Sequence, residues 1–307
     1  MAKTTDAPSP AEIITAAIID RLDAGVRPWV KPWRPGLGGR PLRVTGEPYC
    51  GINCFWLWLV AEGAGYHSRT WMTFKQADAL GGKVRQGERS EIAIFYKSYS
   101  KAVASSVTGV TTDELRRVLR SYAVFNADQI EGLPERFHPT PLSIVPPADA
   151  LPSRAQTFVE RLPATVHIRG DRAFYDPTAD SITMPPPEQF STRAYWASTL
   201  AHEAGHWTGH PSRLDRAFGK KFGDDAYAFE ELCAEMTSAL LGADLELPTA
   251  HLDDHASYVD AWLRVLRREP RAIMTAAAKA EAAAGFLLRA TGLGRLDHAD
   301  EPYREAA

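Results

Sequence analysis

The chain has 307 residues, 45% hydrophobic and 24% charged, the balance of an ordinary globular protein rather than a disordered or fibrous one. No apolar run approaches the ~20 residues needed to cross a bilayer, and no apolar segment of signal-peptide type precedes the first expected helix. Cys50, Cys54 and Cys233 lack C-x-x-C spacing and read as free thiols of a reducing compartment.

These features point to a cytoplasmic protein with no membrane partner, and the length points to two domains. The net charge of −3 conceals an asymmetry: residues 1–130 hold 17 Lys and Arg against 12 Asp and Glu, the remainder 18 against 26. Such opposition suggests a basic module that meets nucleic acid, joined to an acidic module with another task.

In chain order, Ser9 as N-cap, Pro10 at the first helical position and the stripe Ile13, Ile14, Ala17, Ile18, Leu22 predict an amphipathic helix over 9–24, ended by Gly25. Pro28, Pro32 and Pro35 then hold the backbone extended. Residues 36–46 read as a glycine-rich loop, and 53–63 and 74–80 as short helices. The apolar runs 92–99 and 119–126 read as strands joined by a polar excursion through 100–115. Six prolines between 133 and 153 mark a linker, placed at 141–152 between a domain of residues 1–140 and one of 153–307. The second domain opens with a helix over 153–162. Short strands follow from Val166, Ala173 and Ser181, the last two joined by a hairpin turn at Asp176–Asp180. Three further helices are expected: one from Tyr227, then 252–267 and 270–290, parted by Pro270.

The run Ala201-His202-Glu203-Ala204-Gly205-His206 carries the chemistry. Histidines four apart on a helix point the same way, separated by about 40° and about 6 Å. One Zn²⁺ can accept a nitrogen from each, and Glu203, one step round, is placed as a general base. Another divalent metal such as Mn²⁺ would fit the same donors. His210 would lie about 12 Å from His202 if the helix ran on, too far to share an ion. It is taken as a pocket residue, as is Tyr227, a candidate for stabilising an oxyanion.

A catalytic zinc needs a third protein ligand. Glu231 and Glu235 share a helix face with small Ala228, Ser238 and Ala239, opposite the stripe Phe229, Leu232, Cys233, Met236, Leu240. Glu231 is preferred as ligand, with Glu235 hydrogen-bonding a ligand histidine or serving as the alternative third donor. The 174–184 hairpin would offer an edge strand along which a peptide adds.

Between residues 27 and 101, twelve Lys and Arg stand against five acids, interleaved with aromatic rings. Cations track a phosphate backbone and aromatic faces stack bases, a mixture suited to single strands. The candidate contacts are Arg27, Trp29, Lys31, Trp33, Arg43, Arg69, Trp71, Lys75, Lys83, Arg85, Tyr96 and Lys97. Trp56, Trp58 and Phe95 are assigned to the core.

Eight stretches together resemble the ArdC-type antirestriction proteins of conjugative plasmids, which are related at their N-termini to plasmid TraC-type primases. They are Trp29-Val-Lys-Pro-Trp33, Tyr49-Cys-Gly-Ile-Asn53, residues 70–77, Val84-Arg-Gln-Gly-Glu88, Tyr122-Ala-Val-Phe-Asn126, residues 202–214, Tyr227-Ala-Phe-Glu-Glu-Leu-Cys-Ala-Glu235 and residues 271–277. The resemblance implies an α+β architecture: a small α+β domain binding single-stranded DNA, then a zincin-like metallopeptidase domain with a short antiparallel-edged sheet packed on helices. It also implies a role in shielding incoming plasmid DNA from restriction. Two alternatives stay open: an intracellular zinc protease whose basic half binds protein, and a DNA-binding module with a purely structural zinc.

Overall fold

The computed structural model describes residues 8–25, 39–104, 111–138, 150–216, 225–247 and 256–294. The segment carrying Arg27, Trp29, Lys31 and Trp33, the side chains of Tyr96 and Lys97, and most of the expected 141–152 linker lie outside the described residues.

The first helix, α1 (Pro10–Asp23), starts where its signals place it: Ser9 and Glu12 form a reciprocal capping box, with proline in the first turn. Helix α2 (Ile52–Ala64) is apolar almost all round and accordingly central, burying Phe55, Leu57, Trp56 and Trp58, and it ends at left-handed Gly65 (φ 71°). Around it runs a four-stranded sheet of β1 (Leu42–Arg43), β2 (Thr70–Met72), β4 (Glu91–Ala104) and β5 (Thr111–Asn126), in the order β1-β2-β5-β4. The Asn53 amide is an honorary rung of that sheet. It donates to the Ile94 carbonyl (2.6 Å) and accepts from the Ile94 N–H (2.9 Å), tying α2 to β4. Short helix α3 (Phe74–Ala79) and the two-stranded pair β3 (Lys83–Val84) and β6 (Ile130–Glu131) complete this half.

Two sequence expectations are revised here. Of the polar excursion through 100–115, residues 100–104 and 111–115 are strand: β4 and β5 pair antiparallel from Glu91↔Val124 out to Ala104↔Thr111. Within the glycine-rich 36–46 stretch, Leu42 and Arg43 form β1, parallel to β2.

The second half carries α4 (Ser153–Arg161) and a three-stranded sheet of β7 (Thr165–Ile168), β8 (Phe174–Asp176) and β9 (Ser181–Met184), ordered β7-β9-β8. Strands β7 and β9 are parallel, β8 and β9 antiparallel, so β8 forms an antiparallel edge. Helices α5 (Arg193–Trp207), α6 (Asp225–Leu245), α7 (Ala256–Arg268) and α8 (Ala272–Ala290) follow. Helix α6 packs on α5, α7 and α8 and is buried on every side, including all of Glu230–Gly242. The face of α6 that carries Glu231 and Ser238 lies against α5, where the Ser238 hydroxyl reaches the Ser198 carbonyl (3.5 Å). Among the described residues no helix is long and apolar enough to cross a membrane.

The hydrophobic core runs unbroken from Ile14 and Leu22 through Trp71 to Leu266 and Leu288. Helix α1 packs on α7, and the Thr15 hydroxyl donates to the Pro270 carbonyl (2.7 Å). Arg40, only 2% exposed, reaches across to hold Asp244 on α6 through Nε (2.8 Å) and Nη2 (2.7 Å), and Glu281 on α8 through Nη1 (2.8 Å). Glu281 also accepts from the Gly51 N–H (2.9 Å), at the start of α2. Removing one partner of such a buried ionic cluster strands the others without compensation. Arg40→Ala is therefore expected to lower the unfolding free energy by about 3–5 kcal/mol. Urea denaturation would read this, and a loss below about 1 kcal/mol would show the cluster to be energetically idle.

Candidate metal centre

Helix α5 begins at Thr192, whose hydroxyl accepts the Tyr195 N–H (3.2 Å), and ends at Trp207, where the Thr208 hydroxyl donates back to the Gly205 carbonyl (2.6 Å). The last two turns carry His202, Glu203 and His206, all buried against α6. Small residues line this contact: a Cβ at Gly205 would stand 3.4 Å from both the Ala234 Cα and the Thr237 Cβ of α6, ordinary van der Waals distance, which leaves room for a methyl and little more.

That approach brings Glu231 onto the histidine pair. Its Oε2 lies 3.8 Å from His202 Nε2 and its Oε1 3.5 Å from His206 Nε2. The two imidazoles are nearly perpendicular (82°), with centroids 4.9 Å apart. Among the described residues His202, His206 and Glu231 form the one group able to hold a metal ion, with donor atoms all within 4.8 Å of one another. Separations of 3.5 and 3.8 Å exceed an optimal hydrogen bond and approach the ~3.4 Å edge of a tetrahedron of ligands about 2.1 Å from an ion.

The electrostatics agree with that donor set. Burial disfavours a charged His206, yet Glu231 first and Glu230 second outweigh it and raise the imidazole pKa well above its ordinary value. Glu231 and Glu230 thus favour positive charge at His206. Two imidazoles and one carboxylate match a catalytic zinc site that keeps an open position, whereas a structural zinc has four protein ligands.

The carboxylate behind His206 is Glu230, not Glu235. Glu230 Oε1 lies 3.2 Å from His206 Nδ1, and its two oxygens accept from Arg216 Nη2 (2.7 Å) and Nε (2.9 Å). Burial would raise the Glu230 pKa, but Arg216 and His206 hold it below the carboxylate norm. Glu235 is fully buried one turn further along α6 and stands outside the metal-capable group. Arg216 stands ten residues past His206 and fourteen before Glu230, so nothing local in the sequence ties it to either.

His210 turns away from the cluster: its Nδ1 accepts the Ser212 N–H (3.2 Å) and lies 2.8 Å from the Ser212 hydroxyl. Tyr227 is half-buried one turn before Glu231 on the same face of α6. The 208–216 loop also carries Arg213, which lies over the Trp207 ring (3.9 Å) and donates through Nη1 to Asp180 (3.0 Å) in the β8–β9 turn. Asp180 in turn accepts from the Tyr175 hydroxyl (2.8 Å), so the edge hairpin is latched to the end of α5.

In the basic half, Trp71 is 1% exposed and packs edge-on against Tyr66, so it is a core residue and not a stacking platform. It faces inward because β2 lies between β1 and β5, with both faces covered. Arg69 is half-buried, and desolvation lowers its pKa. Arg43 lies 3.9 Å from Glu47, while exposed Arg85 is paired with Glu88 (2.8 Å). Lys75 and Lys83 are exposed. Phe74, beside Lys75 at the start of α3, is 62% exposed and presents an aromatic face to solvent that the sequence does not single out.

A basic sheet-and-helix half followed by a small sheet, two histidines and a carboxylate from neighbouring helices define the class: a zincin-like metallopeptidase domain carried behind an ArdC N-terminal domain. Residues 153–279 match the zincin-like metallopeptidase family, and residues 9–125 the N-terminal domain of the anti-restriction factor ArdC. The crystal structure of the antirestriction protein ArdC from plasmid R388, metal-free, is 39% identical and superposes with a TM-score of 0.79, covering 93% of this chain and 98% of that one. Its Mn(II)-bound structure gives 38% identity and a TM-score of 0.75 over 92% and 98%. The chain belongs to the ArdC antirestriction family. DNA primase TraC of Escherichia coli is 39% identical over 294 residues, but these span 90% of this chain and only 27% of the primase. The uncharacterized protein y4eC of Sinorhizobium fredii (strain NBRC 101917 / NGR234) is 34% identical over 282 residues, 90% of each chain.

The close contact at Gly205 makes a graded expectation. Gly205→Ala puts a methyl at ordinary van der Waals distance and gains helix propensity, leaving stability within about 1 kcal/mol of wild type. Gly205→Leu has no room and should cost about 1–3 kcal/mol while weakening zinc retention. Melting curves with and without Zn²⁺ check both arms.

Proposed function

We propose that this chain is a single-stranded-DNA-binding antirestriction protein whose second half is a zinc-dependent peptidase, acting in the bacterial cytoplasm on behalf of incoming plasmid DNA. The observation that carries the reading is the convergence of His202, His206 and Glu231 from two helices in a buried pocket, with Glu203 on the same helix face region. His202, His206 and Glu231 would hold a divalent cation, Zn²⁺ by donor chemistry or Mn²⁺ as in the R388 relative, which would supply Lewis acidity toward a carbonyl and toward water.

The chain's own residues supply the rest. Glu203 takes the proton of the attacking water and delivers it to the departing nitrogen. Edge strand β8 lies against α5 and offers its main chain to an extended peptide, with Phe174 43% exposed on it. Tyr227, one turn before Glu231 on α6, is the candidate for stabilising an oxyanion. The division of labour falls at 141–152, the first 140 residues binding DNA through Lys75, Lys83, Arg43, Arg69 and Arg85, with Phe74 as a stacking surface. Arg27, Trp29, Lys31, Trp33, Tyr96 and Lys97 join them on composition alone.

Glu203→Gln tests the chemistry: bound zinc by elemental analysis should stay at the wild-type ratio, while hydrolysis of a denatured protein substrate falls by about 10²–10⁴. Loss of metal together with activity would make Glu203 a structural member of the site instead. For the basic half, fluorescence anisotropy of a labelled oligonucleotide across a salt series should show affinity falling with log[salt]. Replacing Lys75 and Lys83 together by alanine should shallow that slope by about 1.4. Binding that ignores salt would remove the nucleic-acid reading.

A further inference from the structure

Arg216 belongs to no sequence motif of zinc hydrolases, yet it is among the most heavily engaged side chains near the pocket. At 5% exposure it donates to both oxygens of Glu230 (2.7 and 2.9 Å), to the Gly205 carbonyl (2.7 Å) and to the Thr208 hydroxyl (2.7 Å). The last two partners flank His206 in the chain, and the first touches His206 from behind at Nδ1 (3.2 Å). One guanidinium thus fixes both the main chain around His206 and the acid on its ring. A planar fork with donors in fixed directions can make these contacts at once, and an ammonium group cannot.

An imidazole binds a cation through one nitrogen only when the other carries the proton, and the hydrogen bond made by that other nitrogen sets which is which. Here the Nε2 side faces Glu231 and the Nδ1 side faces Glu230. We propose that Arg216 is a positioning residue for the metal centre: by pinning Glu230 against His206 Nδ1, it keeps the proton on that nitrogen and presents Nε2 to the cation. The proposal rests on reading His202, His206 and Glu231 as the metal site.

The test measures Zn²⁺ affinity of the full chain by competition with a chromophoric chelator, for wild type, Arg216→Lys, Glu230→Gln and the double variant, with melting of each metal-free protein alongside. Each single change is expected to weaken binding about 10–100-fold while the metal-free protein stays folded. The double variant should be no weaker than the worse single, because Arg216 acts through Glu230. Affinities within about twofold of wild type would overturn the proposal, and so would losses that multiply in the double variant. Should Arg216→Lys not fold, Glu230→Gln decides alone, unchanged affinity being fatal. If wild type itself takes up no Zn²⁺, the metal reading falls first and this proposal with it.

Discussion

Everything in the second half depends on how closely α5 and α6 approach. Two histidines four apart would arise on many helices, but a carboxylate meets both only if the neighbouring backbone comes near, and Gly205 against Ala234 permits that. The approach is held from the side as well, since Arg216 joins the Gly205 carbonyl on α5 to Glu230 on α6. Small residues at the contact and a cationic clasp at its end are complementary solutions: one removes steric obstruction, the other compensates the buried charge that the approach creates.

Three buried glutamates on α6 show how environment separates chemically identical groups. Glu230 is neutralised by Arg216 and spends itself on His206 Nδ1. Glu231, one residue on, faces the two Nε2 atoms. Glu235, a full turn beyond, is enclosed by the helical bundle. Adjacent residues on a helix point about 100° apart, so neighbours in sequence can face opposite sides of one imidazole.

The two halves are joined more firmly than a flexible tether would join them. Arg40 binds α6 and α8, Glu281 reaches the start of α2, α1 lies on α7, and the core is continuous. Asp244 and Glu281 sit on α6 and α8, the helix that carries Glu231 and the one packed beneath it. The basic half is therefore coupled mechanically to the framework of the metal-capable pocket.

Much of this was legible in the chain itself, wherever the physics is local. The Ser9 N-cap of α1, the His–x–x–x–His face, the 174–184 hairpin and the helix break at Pro270 each depend on residues a turn or two apart. Trp71, Phe74, Arg216 and the place of Glu230 at His206 Nδ1 were not legible, because each turns on which element packs against which. A tryptophan beside an arginine reads the same whether its strand is central or at an edge, and a glutamate reads the same whether it faces an imidazole or a leucine. The amino-acid order determined that the protein would have a metal-binding helix and a basic, aromatic half. Only tertiary packing decided which carboxylates face the histidines and which aromatic rings reach solvent, since burial and ion pairing between distant segments are properties of the assembled core.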